Sequence, residues 1–499
     1  MRSAKRAILF VLALPLLAVL GLGLLLLLRP VPISNMQVLL NSVLGSSVAA
    51  PSSATVAQRL QAPPGFSVSV YASGLSAPRF IHFTAGGDLL VSEPREGRIV
   101  LLERSRDGVA GPRRALLSGL NRPHGIDIAD GWLYVGETDA VGRVRFDEQQ
   151  GRLTGDYTRI VTGLTGEGHH WTKTVRIGPD GDLYVAQGSS CNVCEEKDKR
   201  RATIMRFNTD GSGGKIYATG LRNSVGLDWA PWDSALYATE NGRDLLGDDF
   251  PPDELNLIKE NGFYGWPYIH GFGVLDPELG KGKDALLQTA QAPAFGFRPH
   301  NAPLGIHFWR NPAPGFERTA LVALHGSWNR TTPDGYKVVA LHWDANGDIA
   351  QRDFLTGFER KGDVIGRPVD VTEGPDGAIY VSDDYAGVIY RVARGEAKVS
   401  AAPVAAAPLH DERLAAMDAQ QRQESASLGQ TLFRQYRCGN CHDPAMATGF
   451  RHVHPLTQLG ERYTVDRLQA FLATPTPPMP VFPLSDKERE ALAVYLLTR

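Results

Sequence analysis

Cys438-Gly-Asn-Cys441-His442 sets two thiols three positions apart, with an imidazole directly after the second. That order is the attachment motif of haem c: the thiols form thioethers with the two vinyl groups of one porphyrin, and the imidazole sits beneath the iron. The iron then requires a sixth ligand. Met479, in Pro477-Pro478-Met479-Pro480, stands in a proline-stiffened extended segment that holds a thioether in place. Met446 lies only four residues past His442, too close to reach the opposite haem face, and His452 and His454 are the remaining alternatives.

The other two cysteines, Cys191 and Cys194, share the spacing but are followed by Glu195, so no second haem attaches there. In an oxidising compartment they form a loop disulfide; a metal or thiol-redox role is the alternative. His169-His170, between Gly168 and Trp171, offers an imidazole whose ordinary pKa near 6.5 suits proton abstraction at neutral pH. The same pair also fits a packed turn.

These groups need elements to hold them. Leu428, Leu432 and Phe433 have helical spacing ahead of the haem motif, and Ser485 with Glu488 forms a capping box that opens a helix through Leu492, Tyr495 and Leu496. A small all-α cytochrome c domain over 424–499 is expected, joined by an Ala/Pro-rich linker over 395–423.

Upstream, one phrase recurs six times: a Gly or Pro turn, an alternating apolar stretch, a turn often written Gly-Pro-Asp-Gly, and a second alternating strand. The copies begin near Leu75, Leu120, Glu167, Leu221, Ala302 and Gly366. Period-2 alternation buries one face of each strand, which a single unit cannot do alone. Radial stacking does, so the fold class is mainly β, with a six-bladed β-propeller over 61–394. The wider gaps after the fourth and fifth copies are expected to be loop insertions. An open sandwich or two stacked barrels is the competing architecture, and neither repeats one phrase six times.

Arg2, Lys5 and Arg6 precede a stretch, Ala7 to Leu28, that lacks any charged side chain. It is long enough to cross a hydrocarbon core of about 30 Å as a transmembrane helix, and the positive flank places the rest of the chain outside the cytoplasm. Residues 1–29 are therefore an expected anchor and 30–60 a linker; a cleaved signal peptide is the alternative. Haem attachment also occurs outside the cytoplasm, so both features point to the periplasmic side of the inner membrane. A net charge of -2 gives no electrostatic reason for a nucleic-acid partner.

The propeller, over about Gln61 to Ala393, resembles the soluble-type pyrroloquinoline quinone (PQQ) sugar dehydrogenases, which include the aldose, pyranose and sorbosone enzymes. In that family a histidine stands a fixed distance before the third-blade Gly-Pro-Asp turn and acts as general base; His170 precedes Gly178-Pro179-Asp180 at that distance. His169 is second choice. Leu221-Arg222-Asn223 matches the family's Leu-Arg-Asn-Pro, which implies that Arg222 holds the developing oxyanion on the quinone carbonyl and Asn223 hydrogen-bonds the cofactor.

Glu240-Asn241-Gly242-Arg243, followed by Asp253-Glu254-Leu255-Asn256, is similar to the segment whose backbone carbonyls bind the cofactor's Ca²⁺; the resemblance assigns Gly242 and Arg243. A solvated acidic loop is the other reading of that stretch. PQQ is a tricarboxylate, and Arg330 and Arg367 fall where the family places cationic residues in blades five and six. Two positions depart from the glucose-oxidising members: Val369 stands where they tend to have a second arginine, and Ser189 where they have an acidic residue. The chain is closer to the sorbosone and pyranose branch.

The resemblance implies two-electron oxidation of a sugar by PQQ with Ca²⁺, then electron transfer through the fused haem c to an acceptor such as a cytochrome, an oxidase or a quinone. A Ca²⁺-dependent propeller lactonase and a sugar-binding sensor with a haem domain are the alternatives, because propellers host many chemistries.

Overall fold

The computed structural model describes residues 38, 41, 47–104, 108–395, 411–443, 456, 459–461, 463–473, 475 and 479–499, without the side chains of Cys441 and Glu461. The chain divides into two compact units, one holding most residues up to Pro403 and one built on Val404–Arg499.

In the first unit the Gly-Pro-Asp-Gly turns work through their aspartates. Asp180 accepts from the Asp182 N–H at 3.2 Å and from the Tyr184 hydroxyl at 2.8 Å. Asp376 repeats this with Ala378 (3.2 Å) and Tyr380 (3.1 Å). The chain is thereby turned straight into the strands Leu183–Gln187 and Ile379–Asp383.

Six four-stranded antiparallel blades follow, their strands running in chain order; short extra strands extend two of the sheets. Blade 1 is Ile81–Phe83, Leu89–Glu93, Arg98–Leu102 and Arg113–Ser118. Blade 6 is Pro368–Glu373, Ile379–Asp383 and Val388–Arg394, completed by Phe66–Ala72, whose Phe66 lies opposite Arg394. That pairing closes the ring. The expected gap after the fourth repeat carries a hairpin (Ile269–His270 with Val274–Leu275) and a short 3-10 helix before Phe295–Phe297 completes blade 4; the gap after the fifth carries the hairpin Glu359–Arg360 with Asp363–Val364.

Period-2 alternation led us to expect one buried face per strand, yet Leu89–Glu93, Leu183–Gln187, Leu236–Glu240 and Ile379–Asp383 are buried throughout. Each is sandwiched between neighbouring blades. Tyr184, Ala186 and Ile204 of blade 3, for example, pack on Leu227, Leu236 and Ala238 of blade 4. The core is thus a set of inter-blade layers. Val369, fully buried, forms an apolar plug with Phe80, Val225 and Leu304 from the entrances of four blades.

The second unit is helical: Glu412–Ala416, Ala419–Gln435, Gly439–His442, Val465–Ala473 and Asp486–Thr498. Ser485 and Glu488 form the expected capping box, and Asp418 with Gln421 forms another. Both Glu412–Ala416 and the start of Ala419–Gln435 fall inside the expected linker, so residues 411–423 carry helix where Ala/Pro composition suggested none; Asp411 and Asp418 supply the N-caps that the composition hid. Likewise Ser53–Arg59, in the expected 30–60 linker, is a capped helix.

Leu432, Phe433, Leu468, Leu472, Leu492 and Val494 form the helical core. Ala419–Gln435 crosses Asp486–Thr498 at Gly429, where an added Cβ would lie 2.1 Å from the Ala491 carbonyl oxygen. Gly429→Ala is therefore expected to force the two helices apart at a cost of about 1–3 kcal/mol, read as a lower thermal midpoint for this unit. An unchanged midpoint would show that the crossing is not close-packed.

The expected anchor, 1–29, and the alternatives Met446, His452 and His454 lie outside the described residues. Among the described residues no helix is long and apolar enough to cross a membrane.

Candidate cofactor cavity

The entrances of the inner strands and the exits of the strands beside them meet at a cavity of about 690 Å³, to which all six blades contribute. Arg79 comes from blade 1, Arg122 from blade 2, His170 and Trp171 from blade 3, Arg222, Asn223 and Gly242 from blade 4, Trp328 and Asn329 from blade 5, and Arg367 and Asp384 from blade 6. His170, Arg222, Asn223, Gly242 and Arg367, all singled out from sequence, are brought together here.

His170 takes a left-handed φ of 52°, a strain that its contacts must hold. Its Nδ1 lies 3.0 Å from the Ser189 carbonyl oxygen and 2.9 Å from Ser189 Oγ. The hydroxyl already donates to the Cys191 carbonyl (2.7 Å), and a carbonyl only accepts, so the imidazole proton resides on Nδ1. Nε2 is left with its lone pair for the cavity. Burial, and next the Arg222 guanidinium, hold the imidazole pKa well below 6.5, which keeps that lone pair available at neutral pH. Ser189 therefore orients the ring without the negative charge of an acidic residue.

Arg222, 3% exposed, donates all five N–H bonds to protein. Nε reaches the Asn192 carbonyl (2.9 Å), Nη1 the carbonyls of Asn241 (3.0 Å) and Gly242 (2.7 Å), and Nη2 Asn192 Oδ1 (2.9 Å) and Asp244 (2.7 Å). It brings positive charge to the wall while tying the Asn192 loop to the Asn241–Asp244 loop. Across the cavity Asp384 bridges Arg79 (2.7 Å) and His325 Nε2 (2.8 Å). Burial, then Arg367, lowers His325 to about 4. Although burial alone would raise Asp384, His325 and Arg79 hold it far below the carboxylate range.

Three lining side chains carry buried polar atoms without a partner among the described residues: Arg79 Nε, Asn223 Oδ1, and both Oδ1 and Nδ2 of Asn329, which is 1% exposed. Each such atom costs about 1–3 kcal/mol unless a ligand or water satisfies it. The cavity is built to hold something polar.

The TrAA12-like family profile matches residues 60–268 and 272–395, most of the chain. The chain belongs to the TrAA12-like family.

An uncharacterized protein of Borreliella burgdorferi is 31% identical over 355 residues, covering 68% of this TrAA12-like chain and 91% of that protein. The pyrroloquinoline quinone-dependent pyranose dehydrogenase of Coprinopsis cinerea is 27% identical over 398 residues, 66% of this chain; the match spans only about half (54%) of that enzyme's length. The pyrroloquinoline quinone-dependent sugar dehydrogenase of Hypocrea jecorina is 25% identical, over 66% and 88% of the two chains. In three dimensions the calcium structure of the Trichoderma reesei AA12 enzyme superposes with a TM-score of 0.60 at 25% identity, covering 68% of this chain and 97% of that one. The holo PQQ domain of the Coprinopsis pyranose dehydrogenase, at 24% identity and TM-score 0.59 over 69% and 98%, shares the fold.

Two expectations about the TrAA12-like site require correction. Arg330 does not line the cavity: it is 4% exposed, its Nη1 donates to the carbonyls of Asp248 and Pro299, and its Nε lies 3.4 Å from the Thr332 carbonyl. The preceding residue, Asn329, faces the cavity in its place. The Ca²⁺ expectation at Gly242 and Arg243 concerns backbone carbonyls: Gly242 lines the cavity, while the Arg243 guanidinium pairs with Asp276 and Glu278 in the loop insertion that follows blade 4. And Arg222, with no N–H to spare, acts on a ligand through its charge, not through an open donor.

The lining fits PQQ and Ca²⁺ as the resemblance implies. Arg79, Arg122, Arg222 and Arg367 suit a tricarboxylate, and the unpartnered atoms of Asn223 and Asn329 await hydrogen bonds. Asn241, Gly242, Asp244 and Asp253 bring oxygen ligands of the kind Ca²⁺ prefers. Sequence reasoning missed Arg79, Arg122, Asn329 and the His325–Asp384 pair. The first two had a signal: Arg79, Arg122, Arg222 and Arg367 all stand at the opening of a repeat, beside a Pro or Asn.

In the helical unit Cys438 and Met479 are both half-buried against one apolar core that also contains Leu432, Phe433 and Phe482, and His442, four residues after Cys438, is half-buried. Cys191 and Cys194 form a disulfide.

Proposed function

We propose that this chain is a PQQ- and Ca²⁺-dependent sugar dehydrogenase of the sorbosone and pyranose type that passes electrons to its own haem c. The observation that carries the reading is His170: a neutral imidazole, fixed by Ser189 with Nε2 open to a cavity of arginines and unpartnered asparagines.

When bound, PQQ polarised by Ca²⁺ supplies a quinone able to take two electrons, and haem c supplies a one-electron acceptor. The chain's residues do the rest. Arg79, Arg122 and Arg367 would bind the cofactor's carboxylates, Asn223 and Asn329 would orient it, and the Gly242 carbonyl would be a Ca²⁺ ligand. His170 Nε2 takes the proton from the sugar hydroxyl as the adjoining carbon is oxidised. Trp171 and Trp328 wall the cavity and exclude water. Cys438 and Cys441 would hold the haem, and His442 and Met479 would be the ligands offered to its iron.

A lactonase would instead use carboxylates, yet Asp253 is tied by the N–H groups of Gly242 and Ala302, and Asp384 by Arg79 and His325. The Cys191–Cys194 disulfide and the haem motif both suit an oxidising compartment, in keeping with a periplasmic location and anchoring to the inner membrane through residues 1–29. The test is spectral. With PQQ, Ca²⁺ and a sugar added to the haem-loaded chain, reduced-haem bands are expected within the first turnovers; haem that stays oxidised across a broad sugar and aldehyde panel overturns the proposal.

A further inference from the structure

The loop between strands Leu183–Gln187 and Thr203–Phe207 touches both His170 and Arg222, and it is the loop that carries the disulfide. Asn192, enclosed between the two cysteines, makes five hydrogen bonds. Its carbonyl accepts from Arg222 Nε (2.9 Å) and Trp266 Nε1 (3.3 Å); its Oδ1 accepts from Arg222 Nη2 (2.9 Å) and the Asp244 N–H (2.8 Å); its Nδ2 donates to the Asp244 carbonyl (3.1 Å). One residue thus binds the guanidinium and the Asn241–Asp244 loop together. From the same short segment Ser189 holds His170 Nδ1, donates its N–H to the Arg222 carbonyl (2.6 Å) and donates its hydroxyl to the Cys191 carbonyl (2.7 Å).

We propose that Asn192, held in place by the Cys191–Cys194 disulfide, is a positioning residue that sets Arg222 and, through Ser189, His170, and that reduction of the disulfide by a dithiol releases this latch.

No regular strand or helix constrains residues 188–202; beyond a few backbone bonds, at Ser189, Ser190, Arg201 and Ala202, the segment is held by side-chain bonds and by the crosslink. Glu196 adds one tether, accepting from the Ser190 N–H (2.5 Å) and hydroxyl (2.8 Å). Breaking the crosslink frees the Asn192 backbone to sample other conformations, and its five bonds then compete with chain entropy. Both cysteines are half-buried, so a reductant can reach them. A thiolate of the dithiol attacks one sulfur and the S–S bond breaks. The second thiol then closes the dithiol to its own disulfide, and Cys191 and Cys194 leave as thiols. Two electrons and two protons pass from the dithiol to the chain.

The consequence for turnover rests on the function proposed above; the consequence for loop order does not. The test therefore starts on the full chain without PQQ, by hydrogen–deuterium exchange of Asp244 and its neighbours. It compares the parent, Asn192→Ala, Asn192→Asp, Cys191→Ala with Cys194→Ala, and the parent in dithiothreitol. Protection at Asp244 is expected to fall by about tenfold, the worth of one net hydrogen bond, in Asn192→Ala, in the cysteine variant and on reduction. Asn192→Asp, which keeps the acceptor, is expected to retain most of it. In the loaded protein the acid limb of kcat/KM is expected to move in Asn192→Ala, a readout that mere destabilisation leaves in place.

Unchanged exchange in Asn192→Ala overturns the positioning role. Loss in Asn192→Ala with none on reduction or in the cysteine variant overturns the latch. Should no sugar reduce the haem, the exchange results still decide the structural claim, so the two failures are told apart.

Discussion

Replacing His170 by glutamine is expected to lower kcat by about 10²–10⁴-fold, the usual worth of a positioned general base, while PQQ affinity stays within about threefold. Glutamine retains a polar group near Ser189 but has no lone pair able to take a proton at neutral pH. The parent's pH dependence follows from the same environment. Burial and Arg222 hold the imidazole pKa well below 6.5, so the base is already deprotonated at pH 7, and raising the pH gains nothing from it. Lowering the pH protonates Nε2 and removes the base. The acid limb of kcat/KM should lie below 6.5 and should vanish in His170→Gln, leaving a low, flat rate. A limb centred above 6.5, or a variant as active as the parent, would take His170 out of the mechanism.

Gly188→Ala should be nearly as damaging, although the residue bears no chemistry. An added Cβ would fall 2.6 Å from His170 Cβ and 2.6 Å from Asn223 Oδ1, contacts that real side chains do not make. One of the two must shift, and a displacement of about 1 Å in a catalytic group can cost about 10²-fold. The expected result is a fall in kcat/KM of at least about that size with weakened PQQ binding, because Asn223 moves as well. Gly155→Ala is the control: its nearest neighbour beyond the adjoining residues, Arg145 Cβ, would lie at 3.4 Å, and activity should be kept. Equal activity in both variants would mean that the packing between His170 and Asn223 is not what holds the base.

The blades were legible because their signals are local: an aspartate turn, an alternating run and a second strand lie within about twenty residues, and each copy repeats the same chemistry. Helix Asp486–Thr498 was legible for the same reason, its capping box written in four consecutive residues. The cavity was only half legible. His170, Arg222 and Arg367 each carry a neighbouring turn or asparagine that marks them. The choice between Asn329 and Arg330 depends on which way one loop residue faces, and residue type misleads there, since charge suggests a carboxylate site while Arg330 is buried against the Asp248 and Pro299 carbonyls. The Arg243 side chain likewise finds its partners, Asp276 and Glu278, in an insertion outside the repeat. The Arg79–Asp384–His325 bridge joins blades 1, 5 and 6, a proximity that exists only once the ring has closed.

The pairing of Phe66–Ala72 with Val388–Arg394 also sets an order of events during biosynthesis. The first strand of the propeller to leave the ribosome is the last to find its partner, and until then Val68, Val70 and an exposed ladder of amide and carbonyl groups accompany the growing polypeptide. An orphan edge of that kind invites pairing with a sister molecule, so proteolytic clipping between residues 66 and 72 would leave Val388–Arg394 as a sticky rim and a seed for aggregation.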